Sequence, residues 1–182
     1  MTKLRLKEMP RYECLREAAQ KYPQLDPLGM EAFMSLLNLG DEIERRGAEY
    51  FASHGTSQAR FLVLILLSGH MPDAGCSRTP AELADMTCCT RATMTGIIDT
   101  LERDGMVNRA PSPEDRRMMR VTMTESGRAA LERIMPENFA RISAFMGALD
   151  DLEKRTLIGL LGKIRGHLSA LEPLAKTQQP SA

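Results

Sequence analysis

Residues 79–124 read TPAELADMTCCTRATMTGIIDTLERDGMVNRAPSPEDRRMMRVTMT, and the rest of the chain is best understood from this stretch outward. Thr79, Pro80, Ala81 and Glu82 form an S/T-x-x-E capping box with proline at the first helical position. Leu83 and Met86 are spaced to face inward from the helix begun there. That helix is predicted to be short, because Thr87, Cys88 and Cys89 are poor helix formers. Thr90 then caps a second helix, predicted to reach about Asp104 and to stop at Gly105. Met94, Ile97, Ile98 and Leu101 stand at i, i+3, i+4 and i+7, one buried stripe. The opposite face carries Ala92, Thr95, Gly96, Asp99 and Arg103.

A hairpin comes next. Met106 to Arg109 reads as a short strand, and Met119, Val121 and Met123 alternate with Arg120, Thr122 and Thr124. Between them PSPEDRR is a rigid, polar tip. Two short capped helices, a turn and a charged hairpin outline a winged helix-turn-helix, a device that sets one helix in a DNA groove with a β-wing beside it. Thr90, Arg91, Ala92 and Thr95 lie where the second helix would approach base edges, and a helix N-terminus also favours a phosphate. Arg109, Arg116 and Arg117 give the wing its positive charge, which suits a narrow minor groove. Asp115 has the spacing to fix the direction of Arg117.

Outside this head the chain is mostly amphipathic helix. Pro10 to Tyr22 can form one helix, ended by Pro23. Asp26-Pro27 starts a second, about seven turns long, that stops at His54-Gly55. Ser57 or Thr56 can cap Gln58 to Ser68, whose FLVLILL core is apolar all round and should be buried. Gly69 to Ser77 reads as a loop. Thr124 can cap a helix through about Gly147, with a bend expected at Pro136. Asp150 to Glu153 starts a last helix, with Leu157, Leu160, Leu161, Ile164, Leu168 and Leu171 down one face. Such a stripe packs within one subunit or across two. The predicted fold class is mainly α with a small β-wing: a winged helix-turn-helix flanked by N- and C-terminal helical dimerisation regions. The expected divisions are N-terminal helices over 1–55, the winged lobe over 56–124, C-terminal dimerisation helices over 125–172, and a disordered tail over 173–182.

Composition sets the bounds. The chain has 182 residues with 43% hydrophobic content, enough for a core. No apolar run approaches a membrane span and the N-terminus lacks a signal-peptide core, so a cytoplasmic protein is expected. Lys+Arg and Asp+Glu both number 24, so net charge lends the DNA reading no help. Local charge is kinder: from Met106 to Arg120 arginines 109, 116, 117 and 120 face only the acids 114 and 115.

The motifs taken together resemble the MarR family of transcriptional regulators. The residues that carry the resemblance are LAD at 83–85, TRATMTGIIDTLERDGMVNR at 90–109, and EDRR at 114–117 followed by VTMTESGR at 121–128. Asp115-Arg116-Arg117 matches the D-x-R wing motif of that family, and Thr124 with Gly127 matches the end of its wing strand. The resemblance covers most of the chain. It implies a homodimer on a roughly palindromic operator in double-stranded DNA, usually a repressor relieved by a small ligand or by cysteine oxidation. One place departs: the turn before the second helix often has glycine then an aliphatic residue in such proteins, and here has Cys88 and Cys89. Family ligands often sit between the dimer helices and the winged lobe. Met34, Asn38, Tyr50, His54 and Phe61 are the residues here that could line such a cleft for a small aromatic or amphipathic effector, although each also fits ordinary core or surface.

No catalytic set emerges, and no cofactor or metal is expected. The histidines, 54, 70 and 167, fall in different segments, and the cysteines, 14, 76, 88 and 89, lack zinc spacing. Cys76, Cys88 and Cys89 are candidates for a thiol switch, since the vicinal pair sits at the turn that aims the second helix. Three readings stay open at this point: a regulator released by a small effector, a thiol-based redox regulator, and a winged-helix protein-interaction module without an operator.

Overall fold

Asp26 shows how directly local chemistry starts these helices. Its side chain accepts a hydrogen bond from the Leu28 backbone N–H at 3.1 Å, with Pro27 at the first helical position. In the computed structural model, which describes residues 11–69, 77–113, 115 and 117–171, the helix so begun is α2, Pro27–Ser53. It is preceded by α1, Tyr12–Lys21, and followed, after Gly55 at φ +68°, by α3, Gln58–Leu67, capped by Ser57. Then come β1 (Ser77–Arg78), α4 (Pro80–Met86), α5 (Arg91–Arg103), β2 (Val107–Pro111), β3 (Met119–Met123), α6 (Glu125–Met146) and α7 (Asp151–Ala170). The fold is mainly helical with a small antiparallel sheet of order β1-β3-β2.

The chain divides into two compact units, Met1–Leu131 and Glu132–Ala182. The first is built on α3, α4, α5 and the sheet. Val63, Leu67, Leu83, Ile98 and Val121 have no exposed surface, and Met94, Leu101 and Val107 have 1%. A truncation such as Ile98→Ala in this centre would cost about 2–5 kcal/mol. The Met94–Ile98–Leu101 stripe is thus buried, with Ile97 on its edge. In the second unit, Arg141 donates to Asn138 Oδ1 at 2.7 Å and stacks over Phe145. α7 begins with a complete capping box of Asp150 and Glu153 and buries none of its residues. Pro136 stands inside α6 without ending it.

Four expectations need adjustment. Ser77 is not loop: with Arg78 it pairs antiparallel to β3, Ser77 opposite Thr122. The first wing strand runs on to Pro111, because Ala110 and Pro111 stay in register with Arg120 and Met119. Met86 is 43% exposed, and Ala84 takes the inward place beside Leu83. Leu62 is 39% exposed, whereas Phe61, Val63, Leu64, Leu66 and Leu67 of α3 are buried, and it walls a cleft. The expected tail at 173–182, residues 70–76 of the expected loop, and the start of the first helix at Pro10 lie outside the described residues.

Local hydrogen bonds favour the charged form of two carboxyls in the first unit. The capping box at Thr79 is complete, with Glu82 N–H donating to Thr79 Oγ1 at 3.2 Å and Thr79 N–H donating to Glu82 Oε2 at 2.7 Å. The Thr79 backbone N–H holds the Glu82 carboxyl below its ordinary value. A lowered folded value means that this stabilisation is present above the usual carboxylate range and is lost as pH falls through the lowered value. On α2, hydrogen bonds from Arg45 and Arg46 hold Glu42 down at about 2, and Arg45 also bonds Glu49 at 2.6 Å.

The wing joins α6 through a tight packing point. Thr124 N–H donates to Met106 O at 3.0 Å, and Thr124 Oγ1 donates to Gly105 O at 2.7 Å while accepting from Gly127 N–H at 3.1 Å. A Cβ on Gly127 would run into the Met106 carbonyl oxygen and come within 2.9 Å of Met123 Cγ. Backbone cannot give way as a flexible side chain can, so Gly127→Ala should lower unfolding free energy by about 1–3 kcal/mol. Urea denaturation at constant m-value measures it; an unchanged midpoint would show that the contact relaxes freely.

Candidate nucleic-acid interface

The recognition helix α5 starts with a cap and is aimed by the turn before it. Thr90 Oγ1 accepts from Thr93 N–H at 3.1 Å. Arg91, Ala92 and Thr95 are exposed along the first turns, so these predicted contacts share one accessible surface with Thr90. Thr95 Oγ1 donates to Arg91 O at 2.9 Å, which leaves its lone pairs and methyl outward. A helix start leaves four backbone N–H groups without an intrahelical partner; Thr90 takes that of Thr93, and a phosphate can take others.

The turn from α4 to α5 is a Schellman motif. Cys89 N–H donates to Ala84 O at 3.1 Å and Cys88 N–H to Asp85 O at 3.4 Å, the two reverse bonds that close a helix end. The C′ position of such a motif is left-handed and favours glycine. Cys88 occupies it at φ +52°, alone among the described non-glycine residues in having positive φ. The departure visible in the sequence thus falls on the one turn position where a side chain is strained. Cys88 is exposed. Cys89 is half-buried; its Sγ accepts from Thr87 Oγ1 at 3.3 Å and donates to Thr90 O at 3.5 Å. Cys76, the third thiol candidate, lies outside the described residues.

The wing is held differently from the expectation. Spacing suggests that Asp115 directs the Arg117 guanidinium, but Asp115 Oδ1 accepts from the Arg117 backbone N–H at 2.9 Å. Its effect is therefore on the turn, which Met118 N–H closes on Asp115 O at 2.9 Å and Ser112 N–H closes on Met118 O at 2.7 Å. Arg117 is exposed at that tip. Arg116 lies outside the described residues. Arg109, grouped with the DNA contacts on sequence, has its guanidinium turned against α5. It donates to Asp99 Oδ1 at 2.5 Å and to Thr95 O at 3.4 Å, and lies 3.6 Å from Glu102 Oε2. Its side chain is 22% exposed and its charge is matched by two acids.

Two arginines missed by sequence reasoning also brace the head. Arg60 of α3 pairs with Asp104 at the end of α5. Arg120 of β3 donates to Ser77 Oγ at 2.9 Å and Ser77 O at 2.8 Å, tying the third strand to the wing. A two-residue strand has no periodicity to read, and a contact 43 residues apart leaves no local mark.

Of the five residues proposed for an effector, Tyr50, His54 and Phe61 are joined through Phe51 in one aromatic cluster, and Met34 and Asn38 lie several turns away on α2. Phe61 is 4% exposed in the core, with its ring 4.8 Å from Phe51. Tyr50 and His54 stack at 4.4 Å, and His54 Nδ1 lies 2.9 Å from Tyr50 O. Met34 and Asn38 are half-buried further along α2. Among the described residues no helix is long and apolar enough to cross a membrane.

This geometry, a capped helix exposed beside a charged hairpin, defines a winged helix-turn-helix DNA-binding protein. The MarR family model matches residues 57–119, the span from the α3 cap to the start of β3. YetL of Bacillus subtilis, an HTH-type transcriptional repressor, is 36% identical over 170 residues, 93% of this chain and 99% of that protein. Among solved structures, BpsR of Bordetella bronchiseptica is 26% identical at a TM-score of 0.58, over 70% of this chain and 91% of that one. AbsC of Streptomyces coelicolor, a MarR family regulator, shares the fold at a TM-score of 0.68 with 20% identity, over 77% of this chain and 93% of that one. The chain belongs to the MarR family of transcriptional regulators.

The strained turn gives a direct test. Cys88→Gly removes a Cβ from left-handed backbone and should raise stability by about 1 kcal/mol, whereas the β-branched Cys88→Val should lower it by a similar amount. Paired chemical denaturation curves decide; equal midpoints for the three proteins would mean the turn carries no strain.

Proposed function

We propose that this regulator is a cytoplasmic homodimer whose two heads read the half-sites of a pseudo-palindromic operator, and that it represses until a small aromatic or amphipathic effector releases it. The observation that carries the reading is the exposed surface shared by Thr90, Arg91, Ala92 and Thr95 on α5, with Arg117 held out on a closed wing turn. In this reading Arg91 reaches a phosphate or a guanine edge, and Arg117, with Arg116, enters the minor groove. Asp115 and Arg109 act by position: the first shapes the wing turn, the second holds β2 against α5.

Exposed apolar faces support the dimer. Leu28, Phe33, Leu37 and Leu39 of α2 are each more than half exposed, as are Ile158, Leu160 and Leu168 of α7. Faces of that size on a lone chain mark an interaction surface, and the terminal helices are the ones assigned to dimerisation. Release by an effector is supported by BpsR, whose DNA binding is regulated by 6-hydroxynicotinic acid. Repression is supported by YetL, named as a repressor.

Fluorescence anisotropy on operator duplexes selected from genomic fragments, run over a salt series, tests the docking. Affinity should fall steeply with salt. Arg117→Ala should weaken binding by about 1–3 kcal/mol, and Arg91→Ala should weaken it and alter preference at one base position. Unchanged affinity for both variants, with circular dichroism intact, would remove this interface and leave the protein-interaction reading. Sedimentation of a chain ending before Leu157 should show monomers with no specific binding.

The exposed thiol of Cys88, in the motif that aims α5, favours thiol control as a second reading. There, peroxide would lower DNA affinity reversibly and Cys88→Ser would abolish the response. A variant with all four cysteines changed to serine separates the two. If it binds DNA and still releases it on adding the inducer, control lies in a ligand site.

A further inference from the structure

Cys88 and Cys89 set two thiols side by side in the turn between α4 and α5. We propose that together they are a dithiol site for a trivalent arsenical carrying one organic group, with the arsenic bridging the two sulfurs. Backbone strain points to the first sulfur. Cys88 holds the left-handed C′ position of the Schellman motif at φ +52°, where glycine would sit without strain. Strained positions of this kind cluster where a side chain has a task. Cys88 is exposed. Cys89 is half-buried, and its Sγ makes two long sulfur contacts, from Thr87 Oγ1 at 3.3 Å and to Thr90 O at 3.5 Å.

Geometry and softness choose the ligand. Adjacent Cα atoms lie about 3.8 Å apart across a planar peptide. Unstrained disulfides span about 4.4–6.8 Å between Cα atoms, so this pair resists closing on itself. An atom inserted between the sulfurs enlarges the ring by one member and replaces the short S–S bond with two longer bonds. Thiolate sulfur is soft and selects soft, thiophilic centres over hard cations. Structural zinc completes a tetrahedron, which needs donors beyond one vicinal pair. Arsenic(III) with one carbon substituent keeps only two exchangeable positions, and the two thiols fill both.

The step is a condensation with no change of oxidation state. For an arsenical R–As=O, two As–S bonds replace the bonds to the oxide oxygen. Both S–H bonds break, and their protons leave with that oxygen as water. Arsenic stays trivalent and neither sulfur is oxidised, so no oxidant enters, unlike the peroxide route. Loss of the Cys89 S–H removes its bond to Thr90 O, at the cap of α5, while Thr87 Oγ1 can still donate to the sulfur. Any change in operator affinity that follows rests on the thiol-control reading; uptake of the arsenical does not.

Phenylarsine oxide, added to the full chain after reduction with a phosphine, is the test. Native mass spectrometry should show a single phenylarsenic group per chain, and the four free thiols should fall by two. Linking two contacts raises affinity by about 10²–10⁴-fold, so Cys88→Ser and Cys89→Ser should each weaken uptake at least about a hundred-fold, scored by competition with 2,3-dimercaptopropanol. Circular dichroism checks each fold; should Cys89→Ser fail to fold, the exposed Cys88→Ser carries the comparison. Cys14→Ser and Cys76→Ser should leave uptake unchanged. The proposal is overturned if the native chain takes up no arsenical at micromolar concentration, if Cys88→Ser retains tight uptake, or if Cys76→Ser removes it. Operator affinity is measured separately: a protein that takes the arsenical and keeps its operator has the dithiol site but not thiol control through it.

Discussion

Acids on the C-terminal half of α5 and arginines brought to them from elsewhere hold this head together. Asp99 and Glu102 face Arg109 on the first wing strand, and Asp104 faces Arg60 on α3. The two arginine side chains are 22% and 17% exposed. A partly buried charge left without its partner costs far more than a surface ion pair contributes, so each pair constrains the other. The helix, the wing and α3 therefore keep one relative geometry. A winged helix needs that constraint, because helix and hairpin must reach two grooves of the same duplex together.

The opposite end of α5 is governed by backbone geometry instead of charge. The Schellman motif closes α4, and Thr90 caps α5 immediately afterwards. Cys89, the motif's last donor, is the residue next to that cap. The direction of α5 thus depends on a single left-handed residue, which here carries a side chain. The same turn contributes Thr87 and Cys89 to the wall of the cleft behind the helix.

Net charge of zero is compatible with a DNA-binding surface because the charges are sorted by the fold. Arg109, Arg60 and Arg120 are spent on internal partners, and Arg45 and Arg46 on Glu42 and Glu49. Arg91 and Arg117 remain exposed on the surface that α5 and the wing present. A count of arginines over the wing overstates its free charge, since Arg109 and Arg120 are turned inward.

What the residues determined unaided are the features decided within four or five positions. Asp26-Pro27, Ser57, Thr79 with Glu82, Thr90, Thr124 and Asp150 with Glu153 each start a helix where expected, because a cap is a bond between near neighbours. The stripe of Met94, Ile98 and Leu101 is buried for the same reason of local period. The family resemblance was legible because its motifs lie in these segments. Tertiary structure alone decided what depends on distant partners. β1 exists because Ser77 and Arg78 meet β3 more than forty residues later. Arg109 is a brace and not a free cation because β2 lies beside α5. Asp115 orders a backbone turn and not a guanidinium. Leu62, in a run of apolar residues that are mostly buried, walls a cleft because α2 and α5 leave space there. Periodicity reports which face of a helix is apolar, and only the neighbouring elements determine what that face meets.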